Sequence, residues 1–170
     1  EECRELAPGQ VGEIIARGPR VMSGYWKDRE KTEKTIDKDG WVHTGDMGYV
    51  DGDGYFFLAG RTTDMIKRGG EFISPEEVEA VLQTHAKVDD VAVIGVPDED
   101  WGEVPLCVCV VKKGETCTPE ELMEYCRARL ASYKRPRAVV FCEELPRNPM
   151  GKVLKRVLRE QYGKARPSGR

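Results

Sequence analysis

The stretch from Gly60 to Glu79 places the tightest limits on how this chain can fold. It opens with a polar, helix-poor segment and continues with short β-prone runs on either side of Gly69-Gly70. Paired glycines between β-prone runs predict a hairpin. Ser74 and Pro75 then predict the start of a helix, in which Ser74 caps free amides and Glu77 closes a capping box. The stretch therefore predicts a junction between domains, followed by a glycine-tipped hairpin and a capped helix.

Short strands and turns precede this junction. Residues 11–16 are typical of a strand, and residues 28–35 are typical of an exposed helix. Asp-Gly turns at 39–40 and 51–54 each lead into a further β-prone run. About sixty residues of β-meander bury little surface by themselves. Residues 1–62 are therefore expected to be the last β-rich subdomain of a truncated N-terminal domain.

After the junction the pattern alternates between short strands and short helices. Strands are predicted at 91–96, 104–111 and 137–143, and helices at 75–84, 118–130 and 153–162. The run 91–96 is apolar on both faces, which is typical of a buried central strand. The predicted fold class is α+β: a β-hairpin or meander subdomain, then a small C-terminal domain with a three-stranded sheet packed by helices and the glycine-tipped hairpin. This domain is predicted to cover residues 63–165, with a disordered tail at 166–170.

Composition excludes several classes of protein. No apolar run approaches the ~20 residues of a membrane helix, and the first residues lack the apolar centre of a secretory signal. The six cysteines form no CxxC pair and have no ligand spacing with either histidine, so no metal site is predicted. Cys107 and Cys109 are expected on one face of a strand, as small hydrophobes. Free thiols and the missing signal favour the cytoplasm.

Charge is distributed unevenly along the chain. From Lys134 onward there are eleven Lys/Arg and three Asp/Glu, a net charge of about +8, against about −11 before it. A basic C-terminal segment suits ligands that carry phosphates, although a solvated surface helix has the same composition. The basic residues are not interleaved with aromatic ones, so nucleic acid is not predicted as a partner.

Three motifs together point to a known family. His43-Thr44-Gly45-Asp46, the stretch 60–79 and Pro149-Met150-Gly151-Lys152 occur in this order. In these motifs the chain resembles the C-terminal portion of the adenylate-forming family, which contains acyl-CoA synthetases, luciferases and peptide-synthetase adenylation domains. The resemblance extends from about Gly12 to Tyr162. Glu71, after the paired glycines, is more similar to acyl- and aryl-CoA synthetases than to peptide-synthetase domains.

The resemblance implies that the C-terminal domain is a mobile lid. In the family this lid swivels at a polar hinge just after a Gly-Arg pair, which lies at residues 60–61 of this chain. Relatives usually place Asp or Lys two residues after the arginine, whereas this chain has Thr63 there and Asp64 next. The hinge is therefore expected at Thr63, or shared between Thr63 and Asp64.

Two residues before the hinge are implied to bind the nucleotide. Asp46 matches the family's aspartate that accepts hydrogen bonds from the ribose hydroxyls of ATP, a role suited to a group that only accepts. Arg61 matches a residue at the ribose and α-phosphate end, where a planar fork of donors fits. Without the resemblance, Thr-Gly-Asp is typical of a turn and Arg61 of a surface ion pair.

Lys152 is implied to be the catalytic residue of adenylation. It follows a glycine in the loop 146–152, as the family's late lysine does. Adenylation is the attack of a carboxylate on the α-phosphate of ATP, and a positioned ammonium stabilises the charge that gathers on the phosphoryl oxygens. Without the resemblance, Lys152 is an ordinary solvated residue.

The hairpin is implied to act in the second step, thioester formation. Lys67 matches a catalytic position used only in this step, and Gly69 and Gly70 let the pantetheine thiol of CoA pass close to the backbone. The alternative for the two glycines is a tight turn alone. Among Lys134, Arg135 and Lys155, spacing does not indicate which would meet the phosphates of CoA.

The sequence therefore predicts the C-terminal part of an ATP-dependent acyl-CoA synthetase, inactive alone, that uses ATP with Mg²⁺ and CoA. The Mg²⁺ ligands and the acid pocket are expected outside this chain, and neither the acid nor the oligomeric state is indicated. Three alternatives remain open: an adenylation domain that loads a carrier protein, a luciferase-like oxygenase, and a non-catalytic nucleotide-sensing or interaction module. The presence of Asp46, Arg61, Lys67 and Lys152 together disfavours the last.

Overall fold

A computed structural model describes residues 3–163 of the chain. The chain divides into two compact units, Glu1–Thr63 and Asp64–Arg170. The tail predicted at 166–170 lies outside the described residues. No helix within residues 3–163 has both the length and the apolar character needed to cross a membrane.

The first unit is a three-stranded antiparallel sheet with one short helix. Its elements are β1 (Gly12–Ala16), α1 (Arg29–Thr35), β2 (Val42–Val50) and β3 (Phe56–Arg61). β2 is the central strand and pairs with β1 and β3. Among the described residues of this unit, Met47 is the one buried large apolar side chain. The small core is what a short meander is expected to bury.

The second unit is built on a five-stranded mixed sheet. Its strands are β4 (Ile66–Arg68), β5 (Glu71–Ile73), β6 (Val88–Asp98), β7 (Gly102–Val111) and β8 (Ala138–Phe141). Its helices are α2 (Pro75–Gln83), α3 (Pro119–Arg127) and α4 (Lys155–Tyr162), with a 3₁₀ turn at Ser132–Lys134. The predicted α+β class is confirmed. The hairpin β4–β5 joins the three predicted strands where Arg68 pairs with Gly102.

The strand predicted to be central lies at an edge of the described sheet. The order is β5-β4-β7-β6, with β8 parallel to β7, so β7 is central and β6 pairs with β7 alone. β6 is nevertheless buried on both faces, because Val91 and Val93 enter one core cluster with Leu82 of α2, and Ile94 enters a second with Leu158 of α4. Alternate residues of a strand point to opposite faces, so helices on both faces require an apolar run. The central position was a wrong inference from that run.

The start of α2 follows the predicted cap only in part. The Ser74 hydroxyl accepts a hydrogen bond from the Glu77 amide at 3.3 Å, and Pro75 opens the helix. The Glu77 carboxylate does not close the capping box; it accepts from Lys134 Nζ at 2.6 and 2.7 Å. A charge-assisted hydrogen bond is stronger than one to a neutral amide, so the tertiary contact prevails.

Three cysteines of the second unit lie in its core, where burial raises the pKa of each thiol. Cys107, Cys109 and Cys126 belong to one buried cluster, which confirms that Cys107 and Cys109 share a face. Burial raises the pKa of Cys109 to about 12 and that of Cys126 to about 11. Cys3, in contrast, is exposed.

We therefore expect thiol alkylation at pH 8 to distinguish these cysteines. Iodoacetamide should modify Cys3 readily and leave Cys107, Cys109 and Cys126 unmodified, because burial raises the pKa of these three thiols so that little thiolate forms at pH 8, and because the reagent cannot reach the core. Mass spectrometry of native and urea-unfolded samples measures this. Equal rates of modification at Cys3 and Cys109 in the native chain would contradict the packing described here.

Candidate functional site

Asp46 and Arg61, the two predicted nucleotide residues, lie side by side in the first unit. They are direct partners in the β2–β3 ladder, and Arg61 Nε is 3.3 Å from Asp46 Oδ1. Their side chains are 41% and 51% exposed, so both are accessible to a ligand. The structure thus presents a hydrogen-bond acceptor beside a planar cationic donor, which suits a sugar hydroxyl next to a phosphate.

The part of β2 just before Asp46 is held by Thr44 and Gly45. Thr44 Oγ1 donates to the Ile14 carbonyl at 2.6 Å and accepts from the Asp46 amide at 3.1 Å. Gly45 has a φ of +72°, and a Cβ there would lie 3.1 Å from Arg61 Nη2. Glycine therefore provides both the left-handed backbone and the space that the guanidinium occupies.

Glu13 is a site residue that the sequence analysis missed. Its Oε2 lies 2.8 Å from His43 Nδ1, and its Oε1 accepts from the Gly45 amide at 3.0 Å. One carboxylate on β1 therefore holds both ends of the His43–Gly45 segment. Glu13 is separated from this segment by about thirty residues, and no local pattern around it indicates such a partner.

In the second unit, Gly69 and Gly70 form the two-residue turn between β4 and β5. Their φ angles are +57° and +91°, which only a type I′ turn of small residues accommodates readily. A Cβ on Gly69 would lie 2.8 Å from Trp101 Cε3, whereas one on Gly70 would meet no atom within 4 Å. Gly69 is therefore required for packing against Trp101, and Gly70 is the open position at the tip.

Lys67 lies on the exposed side of the same hairpin. Its Nζ is 5.6 Å from the centre of the Phe72 ring, directly across the β4–β5 ladder. The Lys67 amide donates to Glu103 Oε2 at 2.9 Å, which fastens β4 to the start of β7. The ammonium is thus carried on a fixed backbone beside the glycine tip.

A basic pocket of about 390 Å³ opens near the hairpin. Its lining contains four arginines, Arg68, Arg127, Arg135 and Arg137, and two glutamates, Glu120 and Glu124. Arg68 is held there by donation to the Tyr133 carbonyl at 2.7 Å, and its guanidinium lies 5.4 Å from the Trp101 ring centre. Burial, together with Arg137, lowers the pKa of Arg68. Such a cluster of arginines favours an anionic ligand.

The structure also shows the surroundings of Lys134, Arg135 and Lys155, among which the sequence spacing did not indicate a phosphate-binding residue. Lys134 donates to Glu77, as described above, and Lys155 Nζ lies 2.9 Å from Glu79 Oε1 with a side chain only 14% exposed. Both ammonium groups are therefore committed to carboxylates of α2. Arg135 lines the basic pocket.

Lys152 projects from a tight, well hydrogen-bonded turn. The Asn148 carbonyl accepts from the Gly151 amide at 2.9 Å, and Asn148 Oδ1 accepts from Met150 and Lys152 amides at 3.0 and 2.8 Å. Gly151 has a φ of +82° with open space around its α-carbon. Asn, Pro and Gly at these positions are those of a type I turn followed by a left-handed residue. Lys152 is exposed, and its backbone is fixed to the turn through its bonds to Asn148.

Lys152 and the glycine tip lie at opposite ends of one β-ribbon. The turn of Lys152 is attached by Arg147 to Asp90, near the start of β6, whereas Gly69 bonds to Trp101 at the other end of β6–β7. Asp98, which pairs with Gly102, follows Asp90 by eight positions along β6; at ~3.3 Å per position this is about 26 Å. The second unit therefore presents two separate surfaces.

The boundary between the two units falls at the predicted hinge, between Thr63 and Asp64. Asp64 Oδ1 accepts from Arg159 Nη2 at 3.0 Å, and its side chain is only 18% exposed. Asp64 is thus ion-paired to α4 within the second unit.

Within residues 3–163, two groups of side chains each bring three metal-capable atoms within 4.8 Å of one another. These groups are Cys3, Asp37 and His43 in the first unit, and His85, Cys117 and Glu121 in the second. In the second group, Lys87 Nζ lies 2.9 Å from Glu121 Oε1, and this contact lowers the pKa of Glu121. An ammonium ion already neutralises that carboxylate and would repel a metal cation.

Comparisons with known proteins agree with the motifs. Residues 77–152 match the family model of the AMP-binding enzyme C-terminal domain. The chain is 45% identical over 159 residues to 4-coumarate–CoA ligase-like 9 of Oryza sativa, and 47% identical over 162 residues to a long-chain-fatty-acid–CoA ligase of Bacillus subtilis. These alignments cover 94% and 95% of the chain and 29% of each relative. The chain thus spans less than a third of the length of these relatives.

A solved structure is similar over the same extent. ATP-bound MatB from Rhodopseudomonas palustris superposes with a TM-score of 0.85 and 40% sequence identity, covering 95% of this chain and 32% of that one. The chain therefore contains the C-terminal domain of AMP-binding enzymes at residues 77–152, and over nearly its whole length it is similar to acid–CoA ligases.

Proposed function

We propose that the full-length protein is an ATP-dependent acyl-CoA synthetase. It joins a carboxylic acid to AMP with release of pyrophosphate, and then transfers the acyl group from acyl-AMP to the thiol of CoA. The observation that carries this proposal is the second unit, which offers Lys152 at one end of the β6–β7 ribbon and the Gly69–Gly70 tip at the other. A lysine at one end and a glycine turn at the other suit two successive half-reactions, adenylation and thioester formation.

In the first half-reaction, Asp46 and Arg61 bind the nucleotide and Lys152 stabilises the transition state. Asp46 accepts hydrogen bonds from the ribose hydroxyls, and Arg61 donates to the ribose and α-phosphate end. The Lys152 ammonium offsets the negative charge that develops on the α-phosphoryl oxygens as pyrophosphate leaves. Mg²⁺ is expected to accompany ATP through ligands outside this chain, because none of the residues assigned to the nucleotide forms a carboxylate cluster for it.

In the second half-reaction, the open face of Gly70 admits the pantetheine arm and Lys67 acts beside it. The basic pocket supplies a site for the phosphates of CoA, since four arginines outnumber the two glutamates in its lining. The two half-reactions then require the second unit to swivel. We place the pivot at Thr63, because Asp64 is ion-paired to α4 and moves with that unit. A cytoplasmic location fits a reaction that consumes ATP and CoA.

The test is an assay of the full-length protein with a panel of aliphatic and aromatic acids. We expect ATP-dependent release of pyrophosphate with at least one acid, and formation of the acyl-CoA when CoA is present. Release of pyrophosphate with transfer only to a phosphopantetheinylated carrier protein would replace the proposal with a carrier-loading function. Binding of ATP without pyrophosphate release from any acid would indicate a nucleotide-sensing module.

Substitution of the two hairpin glycines separates a packing role from a role in thiol passage. We expect Gly70→Ala to slow thioester formation about 10-fold, because a methyl group enters the open approach to the thiol, with little loss of stability beyond ~1 kcal/mol of backbone strain. Gly69→Ala should destabilise the second unit more, since its methyl group collides with Trp101. The measurements are acyl-CoA formation from supplied acyl-AMP and urea unfolding. Equal effects of the two substitutions on both measurements would argue against this division.

A further inference from the structure

We propose that Arg147 and Asp90 form a strap that positions Lys152 for the adenylation step. Arg147 and Asp90 act through the turn and not on the substrates, so both are positioning residues. The inference rests on the proposed function, since it specifies how the catalytic lysine is held. It adds two residues that no motif singled out.

The strap consists of two contacts made by one guanidinium group. Arg147 Nη2 donates to Asp90 Oδ2, an ion pair of 2.5 Å, and Arg147 Nη1 donates to the Gly151 carbonyl. Gly151 immediately precedes Lys152, so the second contact fixes the peptide that carries the lysine. A lysine at position 147 has a single ammonium and lacks the planar fork that reaches both acceptors at once.

The other end of the strap is anchored in the rigid part of the unit. Asp90 lies in β6 opposite Val110 of β7, and its Oδ1 accepts from the Val91 amide at 3.0 Å. Its carboxylate is therefore fixed by its own backbone, which leaves Oδ2 directed to Arg147. The ion pair spans 57 residues of sequence and joins the turn to the central ribbon.

The base of the turn is closed independently of the strap. Arg147 pairs with Val153 across the turn, and the Leu154 amide donates to the Pro146 carbonyl at 2.7 Å. Val153 also packs against the core cluster that contains Leu158. The turn should therefore persist without the ion pair. What the strap adds is the orientation of the turn, and with it the place of the Lys152 ammonium.

A small change in the orientation of a catalytic group affects the rate of the chemical step more than it affects the binding of substrate. A catalytic group displaced by about 1 Å can cost up to ~10² in rate. We therefore expect Arg147→Gln and Asp90→Asn, in the full-length enzyme, each to lower the rate of acyl-AMP formation about 10-fold with little change in KM for ATP. Thioester formation from supplied acyl-AMP should be unaffected, because it uses the opposite end of the ribbon.

The matched control is Arg156→Gln, which removes another arginine of the same unit from an exposed pair with Glu160. Its rates should equal those of the wild type in both half-reactions. Arg147→Lys should recover only part of the lost rate, since it can restore the ion pair but not the bond to Gly151. Because both residues act through one strap, the double variant should be no slower than Arg147→Gln.

Three outcomes would overturn the inference. An unchanged rate for Asp90→Asn, with a large loss for Arg147→Gln, would mean that Arg147 contacts the substrate directly. Equal losses in both half-reactions would mean a general structural role. A double variant much slower than Arg147→Gln, with the two single losses multiplied, would mean that the two residues do not act through one strap. Failure of the wild-type enzyme to form acyl-AMP would instead reject the proposed function before any variant is compared.

Discussion

Replacing Lys152 with alanine in the full-length protein is expected to lower the rate of acyl-AMP formation by on the order of 10²–10³. The reason is electrostatic: the transition state gathers charge on the α-phosphoryl oxygens, and the other cation of the same loop, Arg147, is paired with Asp90. Binding of ATP should change little, because the loss concerns the transition state more than the ground state. Single-turnover release of pyrophosphate measures the effect.

The matched control for this variant is Lys113→Ala, which removes an exposed lysine from a different turn of the same unit. It should leave both half-reactions unchanged. Lys152→Ala should also retain thioester formation from supplied acyl-AMP, since that step is assigned to the Lys67 and Gly70 end. Retention of wild-type adenylation by Lys152→Ala would refute the role of the lysine, and equal loss of both half-reactions would refute the assignment of two separate surfaces.

Local features of this chain could be predicted because their causes lie within a few residues. Gly69-Gly70 forms the expected hairpin turn, since both positions need positive φ. The hydroxyls of Ser74 and Thr118 cap α2 and α3, because each accepts a hydrogen bond from the amide three residues later. In each case the sequence contains both partners of the interaction, so composition and spacing determine the outcome.

Contacts between distant segments could not be predicted in the same way. Glu77 bonds to Lys134 and Arg147 to Asp90, each across 57 residues. An arginine offers the same donors to any carboxylate, so its partner depends on how the strands and helices stack. β6 shows the same limit, because helices on both faces make an edge strand as apolar as a central one.

The candidate site shows the same difference between features that the sequence predicts and contacts that it does not. Asp46 and Arg61 were predicted individually by motif, and their pairing across the β2–β3 ladder emerges only from strand register. Glu13, which holds the segment before Asp46, has no motif at all. Functional groups are thus recognisable in the sequence, whereas the residues that orient them become visible only in three dimensions. The assigned roles stay predictions until the half-reactions are measured.

Stability of the second unit is expected to depend strongly on Leu122. This residue of α3 is fully buried in the cluster that also contains Ile66 and Ile73 of the hairpin. Leu122→Ala removes three buried carbon atoms and leaves a cavity, which should lower the free energy of unfolding by about 2–5 kcal/mol. Urea unfolding of the 170-residue chain, followed by circular dichroism and by hydrogen exchange of the β6–β7 amides, measures the change.

Arg127→Ala is the matched control, because Arg127 lies on the same helix with an exposed side chain paired only to Glu124 in the described structure. Its effect should stay within about 0.5 kcal/mol. A loss below about 1 kcal/mol for Leu122→Ala would mean that α3 is loosely packed on the sheet. That result would also weaken the argument for function, since a hairpin whose core partners are loose cannot hold Lys67 and Gly70 in a fixed position for thiol transfer.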